Sequence, residues 1–337
     1  MDALEQKMER KKLIRLNVLQ YNPIKLDFLD DNYSLDSLLS NEEFDNLCKK
    51  YKEKFNYPKL KTFSFSKEGF LGLLLELKGK IALSVGECEA LIEGAKLYES
   101  LGFKIIWLNL NKDGKVNIEK LKDENIDFLF LSSYVMDTFV KTSLDEIKNI
   151  TKAKIISNGS AQISTYSDAI YFDNYKLSGY NLSGVLLFND INFELLQIGL
   201  IDTIAVKTCF EALNNQKFNY EMKEKFLQKL KDKLQDNIYF FVEPNDTLPY
   251  SLHFGLKGIK ARELIRTLAL NKIFLTNGEG CSLGYSKPSR IIQEMGYDEI
   301  TSRNSIHFSF SEILEESNIN KIIDKLHLKY MQLKLFV

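Results

Sequence analysis

A lysine between two apolar segments is the first residue whose surroundings indicate chemistry. Lys176 lies in the run Asp173-Asn-Tyr-Lys-Leu-Ser-Gly179, between the predicted strands Ala169–Phe172 and Gly184–Phe188. An amine presented from a loop between strands can form a Schiff base with a carbonyl compound, and pyridoxal phosphate (PLP) is a common partner of this kind in enzymes. The alternative is a lysine without a special role, because the chain contains 45 lysines and arginines.

A cysteine among glycines is the second candidate. Cys281 follows Gly278 and Gly280 and precedes Gly284. This spacing predicts a mobile loop that exposes the thiol. The thiolate could act as a nucleophile, and the alternative is a bystander cysteine in a flexible loop.

Two further segments carry weaker signals. His307 alternates with apolar residues in the predicted strand Ser305–Ser309, so a half-exposed strand histidine is the alternative to a functional one. Ser66 and Lys67 precede a predicted helix, whose N-terminus could bind a phosphate. The alternative for Ser66 is a simple helix cap.

Composition argues against several classes of function. The 337 residues carry 45 basic and 46 acidic side chains, which argues against nucleic-acid binding through bulk positive charge. The four separated cysteines form no CxxC pair, so neither a disulfide framework nor a zinc site is expected, and no metal is predicted. No signal peptide and no membrane-spanning run is evident, so we expect a cytoplasmic protein without a membrane partner.

The elements that must position these residues follow an α/β pattern. Continuous apolar strands flanked by helices predict a mostly parallel sheet over about residues 50–210, followed by an α+β region. We therefore expect an N-terminal segment (1–50) that joins the small lobe, a large α/β domain (51–212) and a C-terminal α+β lobe (213–337). The usual nucleotide-binding glycine motifs are absent.

Several of these segments, taken in order, resemble motifs of the NifS/IscS-type cysteine desulfurases, which are class V aminotransferase-like enzymes of PLP fold type I. Thr276–Cys281 is similar to the family's SGSAC loop, Asn304–Ser309 to its SIRFS strand, and 168–187 to its DLLSLSAHKFYGPKGVGAL element. Residues 102–117 resemble the GF…DKDGRVD element, and Leu26–Asn32 faintly resembles YLDNNAT. The resemblance extends from about residue 26 to 326.

The resemblance implies a fold, an activity and site residues. It implies a seven-stranded, mostly parallel sheet, a homodimer, and sulfur abstraction from cysteine through a persulfide that is passed to an acceptor protein. Lys176 would carry PLP, Cys281 would form the persulfide, and Gln162 would contact the phenolic oxygen of the cofactor ring. The positions that would surround the cofactor and substrate are Ser66, Lys67, Cys88 and Tyr175 for the cofactor and His307 for the substrate.

The chain departs from the family around these positions. The aspartate that pairs with the ring nitrogen corresponds to Gly159, the stacking histidine to Cys88, and a serine of SAHK to Asp173. The substrate-binding arginine corresponds to His307, which lacks the bidentate fork of arginine. Two alternatives therefore stay open: a catalytically degenerate member acting as a binding or regulatory protein, and a PLP enzyme for a different amino acid.

Overall fold

The computed structural model describes residues 13–25, 42–123, 125–189, 193, 195, 200–279 and 287–335. Cys281 and the motif Leu26–Asn32 lie outside the described residues. The sequence also predicts a short strand over Lys25–Leu29, of which only Lys25 is among the described residues.

Strands and helices alternate through the first two thirds of the described chain. The strands are β1 (Ile14–Arg15), β2 (Lys59–Phe63), β3 (Ile81–Ser84), β4 (Ile105–Leu108), β5 (Phe128–Phe130), β6 (Lys154–Asn158), β7 (Ala169–Phe172), β8 (Gly184–Phe188), β9 (Ile238–Tyr239), β10 (Ser251–Leu256), β11 (Ile273–Phe274) and β12 (Ser305–Ser309). The helices are α1 (Glu42–Phe55), α2 (Lys67–Glu76), α3 (Glu89–Ser100), α4 (Lys120–Asp123), α5 (Leu144–Ile150), α6 (Asn174–Ser178), α7 (Thr203–Asn215), α8 (Met222–Leu234), α9 (Ala261–Ala269), α10 (Arg290–Glu294), α11 (Glu299–Ser302) and α12 (Glu316–Lys334).

The main sheet has seven strands in the order β2-β8-β7-β6-β5-β3-β4. Strands β3 to β7 run parallel, and β8 is antiparallel to both of its neighbours, β2 and β7. Strands β3, β7 and β8 are buried along their whole length, as expected for a sheet covered by helices on both faces. The predicted α/β class with a mostly parallel seven-stranded sheet is confirmed.

A smaller sheet follows in the C-terminal part. Strands β9, β10 and β12 pair antiparallel, and their apolar side chains share a core with α8, α9 and α12. Strand β1 pairs with β11, and Leu16 belongs to the same core, so this part of the N-terminal segment packs with the C-terminal elements. The predicted division into three regions stays a prediction, and its boundaries at 50/51 and 212/213 fall inside α1 and α7.

Three elements differ from the sequence-based expectation. For helix α7 the sequence predicts only a helical apolar pattern around Cys209, without bounds. Helix α12 continues eight residues beyond Leu326, the end of the helix that the sequence predicts over Leu314–Leu326. The segment Asp173–Gly179, predicted as a loop, contains the short helix α6. Within the described ranges, no helix combines the length and apolar character that crossing a membrane requires.

Candidate functional site

Lys176 is positioned by the short helix α6, which follows β7 directly. The Asp173 carboxylate caps this helix by accepting hydrogen bonds from the backbone N–H groups of Tyr175 (3.0 Å) and Lys176 (3.3 Å). Gly179 ends the helix at φ +82°, a left-handed conformation that glycine adopts without strain. The cap and the glycine together fix the point at which the lysine side chain leaves the sheet edge.

The Lys176 side chain lines a cavity of about 250 Å³. Three carboxylates lie in its wall, with one lysine amine among them. Helices α3 and α6, the segment before α2 and the N-terminal segment all contribute to the lining. The lining residues are Gln20, Phe65, Glu89, Ala90, Asp173, Tyr175, Lys176, Asn181, Leu182 and Glu279.

The amine of Lys176 is held in a buried ion pair. Its Nζ lies 2.6 Å from Oε1 of Glu279 and 4.0 Å from Oδ2 of Asp173. Burial disfavours the charged amine, but the carboxylates of Glu279 and Asp173 outweigh this effect and raise the pKa of Lys176 above its ordinary value. In this arrangement the amine is a cation at neutral pH.

Glu279 connects the lysine to two other elements. Its Oε2 accepts a hydrogen bond from the first backbone N–H of α3, that of Glu89, at 2.8 Å. Its own backbone N–H donates to Oδ1 of Asp137 at 2.8 Å. The neighbouring Gly278 has φ +122°, and a Cβ there would come within 2.4 Å of the Asp137 carboxylate. The carboxylate approaches the chain this closely only because residue 278 is a glycine.

A further buried carboxyl belongs to Glu87, two positions before α3. Glu87 accepts hydrogen bonds from the backbone N–H of Ser132 (2.6 Å), the Ser132 hydroxyl (2.9 Å) and the Tyr171 hydroxyl (2.8 Å). Burial raises the pKa of Glu87 to about 7 in spite of these donors. The group ties β7 to the segment after β5.

Cys88, predicted beside the cofactor ring, is fully buried at the start of α3 and does not belong to the cavity lining. Its Sγ lies 3.8 Å from the Tyr171 hydroxyl. Burial raises the pKa of this thiol, so it is protonated at neutral pH. The next two residues, Glu89 and Ala90, form the cavity wall in its place.

Of the other predicted cofactor contacts, Tyr175 lines the cavity and three residues do not. Ser66 caps α2 by accepting a hydrogen bond from the Gly69 N–H at 3.3 Å, and Lys67 is exposed beside Glu68 at 3.8 Å. Gln162 is exposed. Their proposed contacts with a cofactor stay predictions.

His307 is not at the cavity rim, and it is not the half-exposed histidine that alternation predicts. Its ring is fully buried and stacks on Phe139 with centroids 4.6 Å apart, and neither ring nitrogen has a hydrogen-bond partner within the described part of the chain. Burial lowers the pKa of His307 well below its ordinary value. Strand β12 is covered on both faces, so alternation did not correspond to an exposed face. Its substrate-binding role stays a prediction.

Gly159, at the position of the family's aspartate, has no space for a side chain. A Cβ there would lie 2.5 Å from Cγ2 of Ile170 and 2.6 Å from Cε1 of Phe172. Real Cβ atoms essentially never come this close to other atoms, so the surrounding side chains fill the volume. An aspartate at position 159 would therefore require changes in the side chains of Ile170 and Phe172 as well.

Glu279 and Gln20 are among the cavity residues that were not identified from the sequence. Glu279 stands in the quoted run Thr276–Cys281, where a charged residue replaces the second serine of SGSAC, and this difference was the available signal. Gln20 is buried, and neither the oxygen nor the nitrogen of its amide group has a hydrogen-bond partner among the residues that the structure describes. No motif in the sequence singles it out.

Comparison with known proteins gives similarity in sequence and in fold, although no family model matches the chain. Cysteine desulfurase IscS of Rickettsia africae is 21% identical over 281 residues, which is 73% of this chain and 68% of that protein. The structure of a NifS-like protein from Rickettsia africae superposes with a TM-score of 0.74 at 18% identity, covering 95% of this chain and all of that one. SspA in complex with cysteine has a TM-score of 0.68 at 13% identity, covering 89% of this chain and 99% of that one.

The resemblance drawn from the sequence is confirmed by these comparisons. In sequence the chain is similar to IscS cysteine desulfurases, and in fold it is similar to NifS-like proteins.

Proposed function

We propose that this divergent NifS/IscS-like chain is a PLP-dependent cysteine desulfurase that takes sulfur from cysteine. The observation that carries the proposal is the position of Lys176: a buried amine that lines a cavity at the end of β7, on a fold shared with NifS-like proteins. The sequence similarity to cysteine desulfurases supports the same activity and does not favour a regulatory protein or another substrate.

The residues present fit PLP at its aldehyde end. Lys176 would hold the cofactor through its amine, with Phe65, Ala90 and Tyr175 beside it in the cavity wall. The bound cofactor would supply an electron sink for the substrate's α-carbon. A carboxylate beside the ring nitrogen is not part of this proposal, because Gly159 has no room for one. Lys176 would move the proton at the substrate's α-carbon.

Cys281 is the proposed sulfur acceptor within the chain. Its thiolate would attack the substrate sulfur, so that a sulfur–sulfur bond forms as the carbon–sulfur bond breaks and the bonding electron pair stays with the substrate. A proton then replaces the sulfur on that carbon. We propose that the persulfide passes to an acceptor protein, and that the enzyme works as a homodimer in the cytoplasm.

The absorption spectrum of the purified protein, with and without added PLP, tests the proposal. We expect a visible-range band that disappears in Lys176→Ala, and a persulfide on Cys281 after cysteine is added, detected by mass spectrometry. Cys281→Ala should keep the band and lose the persulfide. A protein that shows no band with excess PLP would refute the proposal.

A further inference from the structure

The partner of the Lys176 amine is a residue that the proposed reaction does not use. Glu279 lies two positions before Cys281 in the sequence, and its carboxylate is 2.6 Å from Nζ. Both side chains are almost completely buried, so water does not screen the pair strongly. This contact decides whether the amine can react.

Reaction of an amine with an aldehyde requires the neutral amine. The nitrogen lone pair attacks the carbonyl carbon, a carbon–nitrogen double bond forms, and the oxygen leaves as water with both amine hydrogens. No oxidant or reductant is needed. An ammonium group has no free lone pair, so the Lys176 cation must first give a proton to solvent.

We propose that Glu279 is the positioning residue that controls the charge of Lys176, so that an aldehyde cofactor reacts with the amine only when the Glu279 carboxylate is displaced or neutralised. The inference rests on the proposed function, because it assumes an aldehyde that binds in this cavity. It adds to the site a charged residue at a position where the family motif quoted above has a serine.

The other groups around Nζ of Lys176 contact the amine less closely than Glu279 does, which favours Glu279 as the controlling residue. Asp173, on the helix of the lysine itself, is 4.0 Å away and caps the backbone of α6. Cys88, just before α3, interacts electrostatically with the amine, and burial raises the pKa of its thiol. Met136 approaches through its Sδ at 3.6 Å. Among these described neighbours, Glu279 makes the shortest contact with the amine.

Glu279 also occupies space in the cavity that a ligand bound to Lys176 would need. Its side chain lines the same cavity as Lys176, Phe65 and Tyr175. Its second oxygen holds the first N–H of α3, a position at which a helix attracts an anion. A ligand bound to Lys176 must therefore replace a carboxylate that is already bound at two points.

The test is chemical trapping of Lys176 at different pH values. The intact protein is mixed with PLP, or separately with unphosphorylated pyridoxal, and reduced with borohydride, and the fraction modified at Lys176 is measured by peptide mass spectrometry. In Glu279→Gln we expect the pH of half-maximal trapping to fall by at least one unit. At pH 7 the rate of trapping should then rise about tenfold, since one pKa unit changes the neutral fraction tenfold.

Three controls make the result specific. Glu76→Gln breaks the ion pair between Lys61 and Glu76, 2.5 Å apart and remote from the cavity, and should leave the pH profile unchanged. Glu279→Asp keeps the charge but shortens the side chain, and should shift the profile in the same direction by less. It provides a second reading if Glu279→Gln folds poorly. Lys176→Ala should show no adduct at this position.

The outcomes separate the two proposals. Equal pH profiles in the wild type and in both Glu279 variants would overturn the role of Glu279 and leave the proposed function intact. No adduct at Lys176 in any of these proteins would overturn the proposed function and the role of Glu279 with it.

Discussion

The Ser289 hydroxyl donates a hydrogen bond to Oδ2 of Asp137 at 2.8 Å, while Oδ1 of the same carboxylate accepts from the Glu279 N–H. These two partners stand on either side of residues 280–288, which include Cys281. Asp137 therefore joins both ends of this segment. It has φ +60°, a conformation that asparagine and aspartate tolerate better than alanine does.

Removing this link should loosen the segment. We expect Asp137→Ala to be cleaved by protease within residues 280–288 at least several-fold faster than the wild type, because both hydrogen bonds are lost and the backbone is strained. Asp137→Asn keeps the shape and the left-handed backbone, and should stay close to the wild type. Equal cleavage rates in all three proteins would show that Asp137 does not restrain the segment.

Burial of Glu87 should make stability depend on pH. Its pKa rises from 4.5 in the unfolded chain to about 7, so its contribution is fully present below pH 4.5 and is lost as the pH rises through 7. Glu87→Gln cannot ionise and keeps similar hydrogen bonds. The difference in free energy of unfolding, Glu87→Gln minus wild type, should therefore increase by about 2 kcal/mol when the pH is raised from 5 to 8.

Urea unfolding at the two pH values measures this difference. A difference that stays constant between pH 5 and pH 8 would mean that Glu87 titrates alike in the folded and unfolded states.

Gln20 should favour ligand binding at the expense of stability. It lines the cavity, and both polar atoms of its buried side chain lack hydrogen-bond partners in the described ranges. Leaving such groups unsatisfied destabilises a fold by about 1–3 kcal/mol. Gln20→Leu should therefore unfold at a higher urea concentration than the wild type and bind PLP more weakly. Lower stability with unchanged PLP affinity would contradict this prediction.

Asp173 should weaken binding of the cofactor's phosphate. It is one of three carboxylates that line the cavity, and the family has a serine in its place. Asp173→Ser keeps a side chain able to cap α6 and removes a negative charge. The ratio of the pyridoxal to the PLP dissociation constant should rise about tenfold, or about 1.4 kcal/mol. Asp173→Asn controls for the loss of charge alone, and an unchanged ratio in both variants would place the phosphate away from Asp173.

Restoring the family's aspartate at residue 159 should harm the fold. Because Ile170 and Phe172 already occupy the space of a Cβ, even Gly159→Ala should destabilise the protein by about 1–3 kcal/mol. Gly159→Asp adds a buried charge and should be worse. Thermal unfolding checks this, with Gly102→Ala as a comparison, since no atom lies within 4 Å of a Cβ there and only its positive φ opposes the change.

The sequence predicted best the short strands with a clear apolar pattern. Strands β7 and β8 have the predicted bounds, because a short apolar run between turn residues leaves few other interpretations. Strand β12, in which polar and apolar residues alternate, also has the predicted bounds. Helix α6 was missed, since five residues are too few for a periodic pattern. Its cap and its final glycine are visible only once the backbone is known.

The site was partly predictable for a related reason. The motif resemblance identified Lys176 and Tyr175, which do line the cavity. The pairing of Lys176 with Glu279 joins residues 103 positions apart, and no local pattern encodes such a contact. Resemblance did not predict the burial of His307 against Phe139, because a matching position in a strand does not specify which side chains pack against it.

The two histidines of the small sheet make the fold less stable as the pH falls. His253 and His307 are paired across β10 and β12, and none of their four ring nitrogens has a hydrogen-bond partner among the described residues. Burial lowers the pKa of His253 to about 3, and it lowers the pKa of His307 well below its ordinary value. As the pH falls below about 6.5, the unfolded chain takes up protons that the folded one refuses. Acidification therefore acts on the C-terminal core through two rings that lie outside the Lys176 cavity.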